Sequence, residues 1–151
     1  MKLEELKKSQ DYIINQWLKE YKPINEIAKV EDIHIDGVSE TIKNLALQRV
    51  GFENLDMKYI TDKGWLREYQ YVLLLKSDSE IDEQKLENND WLDQLSYWLA
   101  DKNANKQFPI LGDDKQVTNV RCANAMTYQE SDDGSVSIYY LQLYFEIRKG
   151  G

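Results

Sequence analysis

The chain has 151 residues, 42% hydrophobic and 30% charged, with ten Tyr, four Trp and three Phe. That is enough apolar material for one core without staples, and two Pro and seven Gly argue against disorder. A net charge of −8 and no run of five basic residues argue against tight nucleic-acid binding or attachment to an anionic membrane, and a single cysteine, Cys122, excludes an internal disulfide.

The N-terminus is charged and lacks the apolar run of a signal peptide, so synthesis and folding in a cytoplasm are expected. Leu3, Leu6, Ile13, Trp17 and Tyr21 recur at helical spacing, and Ile14 and Leu18 widen the stripe. A helix over about 2–22 is predicted, ended by Pro23. Residues 24–50 carry weaker signals. Alternation of Leu45 and Leu47 predicts a strand over Leu45–Val50.

Gly51 to Lys63 reads as an exposed connection, with a possible short strand at Asp56–Ile60. Asp62-Lys63-Gly64 is a turn signal. Trp65–Lys76 follows as a strand, with Trp65, Tyr69, Tyr71, Leu73 and Leu75 on one face. Residues 77–90 read as an acidic loop. Asn88 or Asn89 then caps a second helix, whose apolar stripe is Leu92, Leu95, Trp98 and Leu99, flanked by Trp91 and Tyr97. Asn103 or Asn105 is placed at its end, before Pro109.

The C-terminal third predicts a β-hairpin: Lys115–Thr127, a turn at Asp133-Gly134, and a return strand Val136–Arg148. Tyr139, Leu141, Leu143, Phe145 and Ile147 share one face of that strand. Val136, Ile138, Tyr140 and Tyr144 make the other face too apolar for plain exposure. The strand spans about 40 Å, roughly twice the common length, and is expected to overhang its own core.

This order predicts a single α+β domain over residues 1–151. Its core is an antiparallel sheet of about four strands with two helices on one face, and the sheet and second helix occupy 45–149.

Chemical motifs are sparse. His34, the lone histidine, has no nucleophile motif near it and reads as an ordinary strand or loop residue. Cys122 reads as a small buried hydrophobe. Asp78–Asp82 faintly resembles a calcium loop, but Glu83 stands where Gly is required and Asn89 where the bidentate Glu belongs. The pair Asp132-Asp133 is explained by turn chemistry, and no glycine loop for phosphate exists. No catalytic, cofactor-binding or metal-ligating residue is assigned, no cofactor is expected, and the chain is expected not to be an enzyme.

Four features occur in a fixed order: Gly64-Trp65-Leu66-Arg67-Glu68-Tyr69-Gln70-Tyr71-Val72, then Asn89 opening a helix that carries Trp98-Leu99, then Phe108-Pro109-Ile110-Leu111, then the final strand YYLQLYFEIRK. In this order and spacing the chain resembles the tail-terminator (tail-completion) and minor capsid proteins of long-tailed bacteriophages. The likeness covers about residues 45–149, and Ile33–Asn44 does not align to a clear first strand.

The resemblance implies a structural virion protein made in the bacterial host cytoplasm. It implies a self-assembled ring, typically a hexamer, at the head-proximal end of the tail. Such a ring ends tube polymerisation and joins tail to head, so its partners are tail tube and head-connector proteins. DNA passes the lumen without specific binding, and no membrane is involved.

The hairpin, the Gly51–Lys63 connection and the acidic 77–88 stretch are the expected contact regions. Leu55, Met57, Tyr59, Tyr140 and Tyr144 are the expected subunit contacts. The competing expectation is a monomeric or dimeric acidic protein-binding module of immunity or inhibitor type, also non-enzymatic.

Overall fold

The structure is a computed structural model, and it describes residues 3–21, 33–35, 44–56, 64–78, 82–112, 114–130 and 136–150. Its elements are α1 (Leu3–Leu6), α2 (Gln10–Leu18), β1 (Ile33–Ile35), β2 (Asn44–Asp56), β3 (Trp65–Asp78), α3 (Asp82–Ala104), β4 (Lys115–Glu130) and β5 (Val136–Lys149). The strands form one sheet in the order β1-β2-β3-β5-β4. Four long strands are mutually antiparallel, and the short β1 joins the edge in parallel with β2. The α+β class therefore stands, and the sheet carries one more strand than expected. His34 lies on β1 in register with Ala46.

The predicted N-terminal helix is two helices. Ser9 adopts an extended conformation (φ −68°, ψ 149°), and its Oγ accepts from the Tyr12 amide at 3.4 Å. A capping serine satisfies an orphan amide of a new helix start, so the periodic stripe is interrupted there. Ile14, Trp17, Leu18 and Tyr21 are buried, whereas Leu6, on α1, is exposed.

Strand β2 runs beyond the predicted Val50 to Asp56, so Gly51–Asp56 is strand and not a loop connection. Its register slips between Arg49 and Gly51. A bulge inserts an extra residue and shifts the period-2 alternation, which hid the continuation in the sequence. The rest of the predicted connection, including Met57, Tyr59 and most of Asp56–Ile60, lies outside the described residues.

The acidic stretch is also divided differently. Ser77 and Asp78 end β3, and α3 begins at Asp82 instead of Asn88 or Asn89. Glu, Gln, Lys and Leu are good helix formers, and acids near a helix start oppose its positive end. Those two effects extend the helix by about two turns. Its far end is a left-handed cap. Lys106 has φ 54°, Lys106 N donates to Asn103 O at 3.2 Å, and Gln107 N donates to Lys102 O at 2.9 Å. Two such bonds around one left-handed residue make a Schellman turn, so Lys106 holds the position expected for an asparagine.

The hairpin strands are longer than predicted, and the turn at Asp133-Gly134 lies outside the described residues. Strand β5 does not overhang. It pairs with β3 from Trp65↔Lys149 to Asp78↔Val136 and with β4 on its other side, so its two neighbours share its length.

The core lies between one sheet face and the helices. The face contributes Leu47, Tyr69, Tyr71, Leu73, Leu75, Val117, Val120, Tyr139, Leu141, Leu143, Phe145 and Ile147, all buried. From α3 come Trp91, Leu92, Leu95 and Leu99. Aromatic rings join the layers: Trp17 lies 5.1 Å from Trp98 and 5.9 Å from Phe145, and Tyr21 lies 5.5 Å from Trp98. Tilted and edge-on rings at such spacings attract through their quadrupoles in addition to the area they bury. The Trp17 indole donates to Gln107 O at 3.2 Å, fastening α2 to the segment that leaves α3.

Candidate protein-binding interface

Alternation places every second residue of each strand on the face that α2 and α3 do not cover. On β3 these are Leu66, Glu68, Gln70, Val72 and Leu74. On β5 they are Ile138, Tyr140, Gln142, Tyr144, Glu146 and Arg148. Gln48 and Glu53 of β2 and Arg121 of β4 complete the face.

The face is divided by chemistry. In one part Tyr140 stands opposite Leu74, and Gln142 opposite Val72. Gln48, Val72, Leu74, Tyr140 and Gln142 line a shallow depression there. All but Gln48 are half-buried by their neighbours. Toward the other end the face is charged. Arg121 lies 3.1 Å from Glu68, and its guanidinium sits 3.8 Å from the centroid of the Tyr144 ring. The Tyr144 hydroxyl donates to Gln142 Oε1 at 3.0 Å. Tyr144 is therefore held in one orientation by a cation above it and an amide beside it, which lowers the entropy lost when a partner covers it.

The two tyrosines expected at a contact thus share one face of β5, with Gln142 between them. Leu55 is 43% exposed near the end of β2, at the register slip between Asn54 and Asp56. Met57 and Tyr59 lie outside the described residues.

The sequence reading missed the apolar edge formed by Val50 and Phe52 together with Leu55. Val50 is 58% and Phe52 50% exposed. Strand β1 covers β2 only at Leu45–Leu47. Among the described residues, no strand pairs with the outer edge of β2 from Gln48 to Asp56, which leaves backbone donors and acceptors available to an added strand. Strand β4 is guarded at its own edge, where Asn103 Oδ1 accepts from Val120 N at 2.8 Å. The signal for an edge at β2 was the apolar triplet itself, but it requires knowing that Gly51–Asp56 is strand.

Titratable groups are perturbed mainly inside. Burial lifts the Cys122 thiol above its ordinary range, in keeping with its packing against the core. Burial, with a smaller effect from Asp90, lifts the Tyr21 phenol. Among the described residues, no three His, Cys, Asp or Glu side chains gather as a metal-holding group, and no helix is long and apolar enough to cross a membrane. Asp132 and Asp133 lie outside the described residues.

No protein-family model matches the chain, and no curated protein matches it. Among solved structures, it is similar to a chain of the "virion of native gene transfer agent (GTA) particle". That match has 11% identity and a TM-score of 0.54, and it covers 90% of each chain. At this identity the likeness is one of fold, extending over nearly the full length of both proteins.

Proposed function

We propose that this chain is a structural virion protein of a long-tailed phage or phage-like particle. In this reading it assembles with copies of itself into a ring at the head-proximal end of the tail, ends tube polymerisation and joins tail to head. It performs no chemical step. Its partners are its own copies, the tail tube and the head connector, and the mature protein resides in the virion.

The observation that carries the reading is the sheet face opposite α2 and α3, where Val72, Leu74, Ile138, Tyr140 and Tyr144 are half-buried and, among the described residues, covered by no helix. An apolar patch rimmed by polar and charged side chains marks a surface where partners dock, and Tyr is enriched in such surfaces. Shared fold with a virion component supports the same reading, as does the order of the four sequence features. A net charge of −8 suits a conduit along which DNA moves without adhering.

The test uses tail-tube protein polymerising in the presence of the chain, viewed by electron microscopy. Tubes that stop at short lengths and carry a ring at one end are expected. Tyr140→Asp and Tyr144→Asp should abolish the ring while leaving the circular dichroism spectrum unchanged. Tubes of unaltered length with the native chain in excess would overturn the tail-end role. Rings that form normally with both charged variants would remove the open face from the subunit contact.

A further inference from the structure

The helix-covered face of the sheet ends in a strip that carries its own roof. Arg67 lies between two rings, 4.1 Å from the centroid of Phe52 and 4.4 Å from that of Trp65. Its Nε donates to Asn54 Oδ1 at 3.1 Å and its Nη1 to the Tyr69 hydroxyl at 3.3 Å. Lys149 stands opposite Trp65 in the register, and Lys115 opposite Lys149. The Lys115 ammonium is 5.9 Å from the Trp65 centroid. Three cations and two aromatic rings thus occupy one corner of an acidic protein.

Among the described residues, no carboxylate lies within ion-pair distance of Arg67, Lys115 or Lys149; Arg49 and Arg121 take the ion pairs with Asp11 and Glu68. Arg67 is instead fixed by neutral groups. A cation held rigid by neutral partners and beside a half-exposed Phe is built to receive an anion from outside.

The molecule carries the complementary surface elsewhere. Helix α3 exposes Asp90, Asp93, Tyr97 and Asp101. Their spacing of three and four residues sets them in one stripe, opposite the buried Trp91, Leu92, Leu95 and Leu99. Tyr97 is 63% exposed in the middle of three acids. The corner offers cations around an aromatic centre, and the stripe offers anions around an aromatic centre.

We infer that the Phe52–Trp65–Arg67–Lys115–Lys149 corner of one copy docks on the Asp90–Asp93–Tyr97–Asp101 stripe of a second copy. The two surfaces are different patches of one chain, so the contact is head-to-tail and repeats from copy to copy. It closes into a ring when the rotation closes. This contact rests on the ring reading above and adds to the open face a second pair of surfaces through which copies would meet. A nucleic acid is the weaker occupant, because three cations neutralise few phosphates and the acidic stripe of the same chain repels them.

The test is a charge swap read by sedimentation velocity and zero-length carbodiimide cross-linking of the full chain. Native protein at high concentration should self-associate. A 14N/15N mixture should then give intermolecular cross-links from Lys115 or Lys149 to Asp90, Asp93 or Asp101. Arg67→Glu/Lys115→Glu and, separately, Asp90→Lys/Asp93→Lys should each weaken association by about ten-fold or more, because like charges meet. Mixing the two variants should restore it, since each then offers the other's complement. Circular dichroism verifies that both variants fold. Native protein without such cross-links, or a mixture that fails to reassociate, overturns the contact. So does an oligonucleotide that binds at the corner and leaves native association unchanged. Tube capping that persists in both variants would sink this contact and leave the virion role standing; native protein that gives the expected cross-links and caps no tubes would do the reverse.

Discussion

The phenolic hydroxyl of Tyr71 donates to Asp11 Oδ1 at 2.7 Å, joining α2 to the third strand across 60 residues of sequence. Two further groups converge on the pair. Gln10 Nε2 donates to the Tyr71 oxygen at 3.0 Å, and the Arg49 guanidinium lies 2.8 Å from Asp11. The tyrosine ring is almost fully buried, so its hydroxyl has no water to replace Asp11. Hydrogen bonds to a charged acceptor contribute more than neutral ones. Tyr71→Phe is expected to cost about 1–2 kcal/mol in urea denaturation at neutral pH. A loss below about 0.5 kcal/mol would show that α2 is held by its rings alone.

The same tyrosine sets a limit at high pH. Burial first, and the hydrogen bond to Asp11 second, lift its phenol well above the ordinary value of 10.0. In the unfolded chain that phenol ionises near 10, while the folded protein still holds the proton. Its contribution is therefore complete below about pH 10 and is lost as pH rises toward the folded value. Cys122 and Tyr21, lifted by burial, act with the same sign, the thiol from about pH 9 upward. Thermal melts between pH 8 and 12 should show a falling midpoint, and Tyr71→Phe should flatten the fall above pH 10. Parallel curves for the two proteins would rule out Tyr71 as a source.

Helix α3 offers a contrast between two residues only two positions apart. Leu95 is fully buried against the sheet, whereas Tyr97 is 63% exposed. Leu95→Ala is expected to cost about 2–5 kcal/mol, from lost transfer energy plus the cavity. Tyr97→Ala should stay within about 0.5 kcal/mol in the isolated protein. Equal losses would mean that the exposed face of α3 is covered in solution.

The buried half of that contrast was legible from spacing, because Leu92, Leu95 and Leu99 recur at the helical period, but Tyr97 was placed beside the stripe together with Trp91, which is buried. The buried alternation of Tyr139 through Ile147 was equally legible on β5. Other features were not, for identifiable reasons. The bulge after Arg49 breaks the alternation that marks a strand, so Gly51–Asp56 looked like a loop. Acid-rich helix starts look like solvated loops, which hid the first turns of α3. Ser9 acts as a cap only through its own backbone angles, and spacing carries no trace of them. The open face was half legible. Period 2 placed Tyr140 and Tyr144 together, but only the strand order brings Val72, Leu74 and Arg121 beside them. The Arg67 corner was not visible at all, because Phe52, Trp65, Lys115 and Lys149 come from four strands.

Lys106 supplies the last prediction. It holds φ 54° at the end of α3, a left-handed conformation in which Cβ crowds the following carbonyl. Its amide donates to Asn103 O and the next amide, Gln107, to Lys102 O, so the turn closes the helix whatever the side chain. Lys106 is exposed, and no ion pair fixes it among the described residues. A glycine there would keep both backbone bonds and remove the crowding, at the cost of a more disordered unfolded chain. The first effect is the larger at a left-handed position. Lys106→Gly is therefore expected to stabilise the protein by about 0.5–1 kcal/mol, read as a higher urea midpoint with an unchanged slope. Lys106→Val should move the midpoint the other way, since a β-branched side chain suffers most there. A lower midpoint for the glycine variant would mean that the lysine stem contributes packing that its exposure does not reveal.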